Sequence, residues 1–551
     1  MMLQTTRKVA IAVSILSFSF STLFGQVVTP WLTTGTKSSL LQQGNPISFG
    51  SNTISGNVVI AVDSTTTYQT MDGFGFCLTE GSAEVISSLA STQQDLLLNE
   101  LFSKTSGLGI SVLRISIGAS DLSSADYSYN ETSGDVNMVN FSLAGLDLIY
   151  LVPILKKALA INPDIKILAT PWSPPKWMKT NGLWVGGNLK TDCYAAYANY
   201  FVKYIAAMKT EGISIWGITP QNEPENPNND PSLSMTATEQ KNFINNNLGP
   251  AMSSVGYSNV KIIAFDHNCD NTAYPIDVCN NSSYVDGAAF HLYAGNISAL
   301  TTVKNATNKN IYFTEQYTGS GGSFSGDFGW HLQNVITGAA NNWAKTIIEW
   351  NLATNTSFGP HTPGGCSTCL GAITVSNSTT YSRNVSYYIV GQISKFVHTG
   401  AVRIASTSTN SGVSVSAFRN TDGSTVVLAY NGNSSSQILK ITNGLSAFNY
   451  TIPASSAVTF VWNNALSYIQ NIYQDRFSVS PNPVSSVLNI KGANNCNELV
   501  VFSLTGEIII HRYLVNQNDD TKVNVSELKK GVYLLNVRGE GVSRFVRFVK
   551  I

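Results

Sequence analysis

From residue 71 onward, short apolar runs alternate with longer segments whose apolar positions recur at helical spacing. The runs lie at 71–76, 111–117, 166–170, 214–219, 261–265, 288–292, 311–314 and 346–350, and each has the length of a buried strand. Helical segments between them include 143–160, 194–209, 237–252 and 328–344, whereas 268–285 is too polar to be assigned as a helix. Eight strands with intervening helices predict an α/β fold, a (β/α)8 TIM barrel. A doubly wound open sheet shares the alternation, but no glycine-rich phosphate fingerprint follows the first run.

On either side of this stretch the period falls to two. Residues 26–70 hold short extended pieces at 27–28, 47–49 and 58–62, separated by Gly, Asn and Pro. After the eighth run come a Gly- and Pro-rich loop at 355–371 and a helix over 385–397. Alternating strands then resume, with turns at Thr421-Asp-Gly423 and Asn431-Gly-Asn433. The blocks 26–70 and 399–465 are expected to form one β-sandwich attached to a catalytic barrel of 71–398. A linker at 466–476 precedes a small all-β domain at 477–551, with ten Lys or Arg against seven Asp or Glu from residue 473 onward. Arg7 and Lys8 ahead of the apolar run 9–24 read as a secretory signal peptide, residues 1–25.

Composition narrows the partners. The net charge is zero, so neither nucleic acid nor an anionic membrane surface is expected. Charged residues make up 12% of the chain and aromatic residues 10%, a balance that suits neutral polar ligands such as sugars. After the signal peptide no run reaches the roughly 18 apolar residues of a membrane span. Seven cysteines are an odd number for an exported chain, so at least one is expected to lack a partner within it. Cys269 and Cys279 flank a short loop and are candidates for a bridge. Cys366-Ser-Thr-Cys369 admits a short-loop disulfide or half of a metal site; no second Cys-x-x-Cys completes the latter, so no metal is expected.

In a barrel the chemistry belongs at the carboxyl ends of the strands. The eight exits carry Thr79-Glu80, Ser120-Asp121, Pro171-Trp-Ser173, Gln221-Asn-Glu223, Asp266-His267, His291 with Tyr293, Glu315-Gln-Tyr317 and Trp350-Asn351. Paired glutamates among aromatics and amides, without a cofactor fingerprint, fit glycoside hydrolysis. One carboxyl must bring a proton to the leaving oxygen while the other, ionised, attacks or stabilises the sugar cation. Glu223 is the candidate acid/base, Asn222 the partner of a 2-hydroxyl, and Glu315 the candidate nucleophile. Arg114, a cation inside an apolar strand, either orients a carboxylate or forms a structural ion pair. Trp172 and Trp350 serve sugar stacking or core packing, and Glu80 and His291 either contact hydroxyls or are satisfied polar groups at the rim.

In this order and spacing the motifs resemble glycoside hydrolase family 30, which includes glucosylceramidases and endo-β-1,6-glucanases. They are Asp72-Gly-Phe-Gly75, Leu113-Arg-Ile115, Pro171-Trp-Ser-Pro-Pro-Lys-Trp177, Thr219-Pro-Gln-Asn-Glu-Pro224, Phe313-Thr-Glu315 and Glu349-Trp-Asn-Leu352. The resemblance implies a retaining mechanism with Glu223 as acid/base and Glu315 as nucleophile. It also implies a sugar site lined by Trp172, Asn222, His291, Tyr293 and Trp350, with Glu80 where glucosylceramidases carry an aspartate. The loop Gly359-Pro-His-Thr-Pro-Gly-Gly-Cys366 resembles that of the β-1,6-glucanase branch. Ser480-Pro-Asn-Pro483 and Gly531-Val-Tyr-Leu534 resemble a type IX secretion sorting domain, which implies export and engagement of that machinery. The expected function is a secreted enzyme cleaving a β-glucan, foremost an endo-β-1,6-glucanase. A glucosylceramidase-like or exo-acting β-glucosidase, a xylan-active enzyme and an inactive carbohydrate-binding protein are the alternatives, the last disfavoured by the presence of both glutamates.

Overall fold

Eight parallel strands close into a barrel in the computed structural model, which describes residues 26–463, 478–491, 497–503, 507–514, 520–539 and 542–551. The expected signal peptide at 1–25 and linker at 466–476 lie outside the described residues. The barrel strands are β1 (Gly73–Cys77), β2 (Val112–Ser116), β3 (Lys166–Thr170), β4 (Ile215–Ile218), β5 (Lys261–Cys269), β6 (Val285–Gly295), β7 (Asn310–Glu315) and β8 (Ala344–Asn351). Each pairs in parallel with the next, and β8 pairs with β1.

Both faces of these strands are covered, which is why they read as continuous apolar runs. Alternate residues enter different cores. Leu113 and Ile115 of β2 pack outward under the helices, whereas Val112 packs with Leu168, Ile263, Tyr312 and Ile348 in the barrel interior. Arg114 has the parity of Val112 and therefore points inward. Gly75 is required by the closeness of β1 and β2, since a Cβ there would stand 1.8 Å from the Val112 carbonyl oxygen.

Two strands run further than their apolar cores. β5 continues through Asp266 to Cys269, and β6 continues to Gly295. In β5 both Phe265 and Asp266 adopt positive φ, 73° and 67°, and the pairing to β6 steps from Phe265↔Ala289 to His267↔Phe290, leaving Asp266 out of the ladder. This bulge re-aims one side chain. The segment too polar to be read as helical contains one, Ala273–Asn280, whose buried face is only Tyr274, Pro275, Val278 and Cys279.

That helix also corrects the expected Cys269–Cys279 bridge. Both thiols are buried and free. Cys269, at the end of the extended β5, donates to the His291 carbonyl at 3.2 Å, and Cys279 joins the helix–barrel core. Cys366 and Cys369 form a disulfide.

The strands before and after the barrel join in one β-sandwich. Val27–Thr34 pairs with Ser456–Asn463, and Val58–Thr70 lies between Val402–Ser408 and Gln437–Asn443. Strand Ser424–Asn431 is buried along its whole length. Its Val427 and Ala429 face the sandwich core, while Val426, Leu428 and Tyr430 belong to the barrel-side core. The carboxyl-terminal unit, 466–551, is separate and all-β as far as it is described. A three-stranded and a four-stranded antiparallel sheet enclose Leu488, Ile490, Leu499, Val501, Leu535, Val537 and Phe548.

Candidate active site

Strand β4 stops at Ile218, and Pro220 prevents it from continuing as a ladder. The chain then turns so that the Asn222 N–H donates to the Pro171 carbonyl at 2.8 Å and the Glu223 N–H to the Asp266 carbonyl at 2.9 Å. Glu223 itself has φ +45°, a left-handed conformation that costs about 1–3 kcal/mol in a non-glycine residue. Two neighbouring strand ends hold it there. Glu315 is the last residue of β7.

Arg114 ties the site together from below. Its Nη1 donates to Glu315 Oε2 at 2.6 Å, and its Nη2 to Asn222 Oδ1 at 2.6 Å and to Asp266 Oδ2 at 2.8 Å. The guanidinium lies 4.8 Å from the Trp172 ring centre and 5.9 Å from that of Trp350, and the two indoles are 5.4 Å apart. Asp266 also accepts from Thr219 and Thr314 at 2.8 and 2.7 Å. Burial raises the Asp266 carboxyl, but the Arg114 charge and the His291 bond outweigh it and hold Asp266 far below the carboxylate range.

His291 bridges Asp266 and the glutamate pair. Its Nε2 is 3.2 Å from Asp266 Oδ1, and its Nδ1 is 3.0 Å from Glu223 Oε1 and 3.9 Å from Glu315 Oε1. Burial disfavours its charge, yet Glu315, Asp266 and Glu223 overcome this and push the imidazole up to about 9. Glu223 accepts a further bond from Asn226 at 2.8 Å. Burial raises Glu223, but the bond and charge of His291 hold it below its ordinary value. The proton therefore rests on His291, one hydrogen bond from Glu223.

Glu315 has the opposite balance. Burial pushes it up, His291 and Arg114 pull it down, and the charge of Glu223 adds to the rise. Both of its oxygens nevertheless act as acceptors, Oε2 from Arg114 and Oε1 from the Tyr293 hydroxyl at 2.9 Å. That is the geometry of a carboxylate, and the anion is the form we assign.

Ligand atoms of Glu223, His291 and Glu315 lie within 4.8 Å of one another, the one group with metal-ligand spacing among the described residues. The Arg114 guanidinium already occupies Glu315, and a second cation there would face its repulsion. One oxygen of Glu223 and one of Glu315 lie within 4.8 Å of each other, closer to the roughly 5–5.5 Å of double displacement than to the roughly 6.5–9.5 Å of inversion.

A cavity of about 470 Å³ opens over this group, bordered by Asp121, Glu223, His267, Tyr293, Glu315, Tyr317 and Trp350. The disulfide-linked Cys366 and Cys369 also border it. Of the sequence-derived candidates, Glu223, Glu315, Asn222, His291, Tyr293, Trp350, Trp172 and Arg114 come together here, Trp172 as the ring beneath Trp350. Glu80 does not. It is the first residue of helix Glu80–Ser87, fully buried, and accepts from the Ser124 N–H at 2.9 Å. Asp121 borders the cleft instead, with Oδ1 unpartnered. Burial and then the charges of Glu315 and Glu223 push Asp121 up to about 8, so it enters neutral solution protonated. Asp121 and Asp266 stand at strand exits in the sequence without an assigned role. An acid in an apolar strand opposite an inward arginine was the available signal for Asp266.

Residues 71–397 match the glycosyl hydrolase family 30 TIM-barrel domain, 400–460 its β-sandwich domain, and 478–550 a secretion-system C-terminal sorting domain. An endo-1,6-β-D-glucanase of Neurospora crassa is 37% identical over 385 residues, 66% of this chain and 79% of that protein. Endo-1,6-β-D-glucanase neg1 of Aspergillus fumigatus is 34% identical over 443 residues, 74% of this chain and 88% of its own length. The solved structure of the endo-β1,6-glucanase BT3312 superposes with a TM-score of 0.76 at 37% identity, covering 80% of this chain and 99% of that one.

Proposed function

This chain belongs to glycosyl hydrolase family 30, and from that premise we propose that it cleaves β-1,6 linkages within a glucan with retention of configuration. The observation that carries the mechanism is the approach of Glu223 and Glu315 to within 4.8 Å across His291, one with a proton at hand and the other bound to a guanidinium. The linkage and the internal cleavage rest on the likeness to the fungal endo-1,6-β-D-glucanases and to the endo-β1,6-glucanase BT3312.

In the first step Glu315 attacks the anomeric carbon. Arg114 and Tyr293 hold its two oxygens, so little reorganisation accompanies the attack. The bond from the anomeric carbon to the bridging oxygen breaks, and that oxygen takes a proton from Glu223. Glu223 draws that proton from His291 across the 3.0 Å Nδ1–Oε1 bond, so the step leaves Glu223 ionised and His291 neutral. In the second step a water attacks the glycosyl ester, Glu223 takes the water's proton and returns it to His291, and Glu315 leaves as carboxylate. Asn222 has its Oδ1 fixed by Arg114, which leaves its NH2 to donate to the 2-hydroxyl. Protonated Asp121 offers an O–H to another sugar hydroxyl.

The sorting domain marks the protein for export by the type IX route, so its substrate is a glycan met outside the cell. The test is product analysis on β-1,6-glucan, laminarin, xylan, aryl β-glucosides and glucosylceramide. Oligosaccharides released from β-1,6-glucan are the expected result. Release of glucose alone, or turnover confined to another polymer, overturns the assignment.

A further inference from the structure

A second cavity, of about 490 Å³, lies beyond Tyr317 from the catalytic group and is bordered by Gln316, Tyr317, Asp327, Trp330, His331 and Thr368. Tyr317 borders both cavities, and its ring lies 5.7 Å from that of Tyr293, which binds Glu315. Tyr293, Tyr317 and Trp330 are 38, 36 and 41% exposed. Tyr293 and Tyr317 lead from the nucleophile to the cavity that Trp330 borders. The half-exposed indole of Trp330 presents an apolar face to this cavity, and such a face can stack on a sugar ring.

The cavity is built rather than incidental. Thr318–Gly319 pairs with Cys369–Leu370, and the Ser320 N–H donates to the Thr368 carbonyl at 2.9 Å. The wall is thereby fastened to the loop that the Cys366–Cys369 disulfide braces. A Cβ on Gly322 would stand 2.1 Å from Asp327 Oδ2, so this glycine lets the carboxylate lie against the loop. His331 is fixed from behind by Glu349 Oε1, 2.8 Å from its Nδ1. The result is an aromatic face beside a carboxylate, the pairing that takes one face of a hexose and its hydroxyl edge.

We propose that this cavity is a remote hexose subsite, in which a glucosyl unit stacks on Trp330 and hydrogen-bonds to Asp327 after the glucan chain has crossed Tyr317. The inference rests on the proposed β-glucanase activity and adds where the rest of the polymer goes. Its test uses the full chain, wild type against Trp330→Ala and Trp330→Phe. The readout is kcat/KM for β-1,6-gluco-oligosaccharides of increasing length and for an aryl β-glucoside. Trp330→Ala should lose about threefold to tenfold on the long oligosaccharides, expressed in KM, which is the strength of one aromatic stacking contact. It should leave the aryl glucoside unchanged, and Trp330→Phe should recover most of the loss. Equal loss at every length, or none at any length, overturns the subsite while the activity stands. A wild type that cleaves a different β-glucan overturns the linkage, and the same length series on that polymer then judges the subsite. A wild type inert on all glucans sinks both.

Discussion

Glu223 and Glu315 are identical side chains that their neighbours make unlike. Arg114 and Tyr293 hold one as an acceptor, and His291 stores a proton beside the other. Glu315→Ala should therefore stop turnover of every substrate, and added azide should restore part of it as an α-glycosyl azide. Glu223→Ala should cost about 10²–10⁴-fold on glucan but little on aryl glycosides whose leaving group needs no proton; equal losses on both would reverse the roles. Because His291 is raised to about 9, its proton is present below that pH and lost above it. kcat/KM should fall as the pH rises through about 9, and His291→Asn should shift that limb. The same sign holds for stability: the contribution of protonated His291 is complete below about 6.5 and disappears as pH passes about 9. Removing Arg114 by Arg114→Met leaves two buried carboxylates uncompensated and should cost about 3–5 kcal/mol in denaturant unfolding. The two glutamates were legible because each stands at the exit of an apolar run, and the inward arginine because it interrupts one. Asp121 and Glu80 look alike in sequence, an acid just past a strand. What separates them is that Glu80 opens a helix and is drawn to the Ser124 N–H, which no local pattern announces.

At the scale of elements, the strands were legible and their ends were not. Apolar content marks the buried middle of β5, but the strand continues through Asp266 to Cys269, where polar residues are satisfied by the site. The bulge at Phe265–Asp266 inserts one residue into the pairing, and that residue is the hub for Arg114, Thr219, Thr314 and His291. Helix Ala273–Asn280 leaves little trace in the sequence for the converse reason, since a short helix on a barrel flank needs only four buried positions. Cys269 and Cys279 then read as flanking a loop, although one ends a strand and the other lies within this helix. Close packing also gives an element-scale prediction. Gly75→Ala pushes a methyl into the Val112 carbonyl and must part β1 from β2, at a cost of about 1–3 kcal/mol or more, visible as a lower Tm. Arg114 and the β8 tip would shift with these strands, so activity should fall as well.

At the scale of the whole molecule, every residue assigned to the reaction lies within the unit 1–465. A chain ended after residue 465 should keep the kcat/KM of the full protein; a tenfold loss would tie the sorting domain to catalysis. The sandwich was legible as two strand-rich blocks flanking the barrel, because the first block has no place among eight barrel strands. Its exact interleaving was not, since Val58–Thr70 lies between two strands from the second block. This interleaving bears on the order of synthesis. Gln26 bonds to Asn463, 437 residues later, so strand Val27–Thr34 leaves the ribosome about 20–90 s before its partner exists. For that interval the sandwich lacks the strand that pairs with Val27–Thr34 and cannot be completed. Nascent chains ended before residue 456 should remain sensitive to protease, and those ended after 463 should become resistant. The pairing that joins the first strand to the last thus makes completion of the sandwich one of the final events in building the unit that does the chemistry.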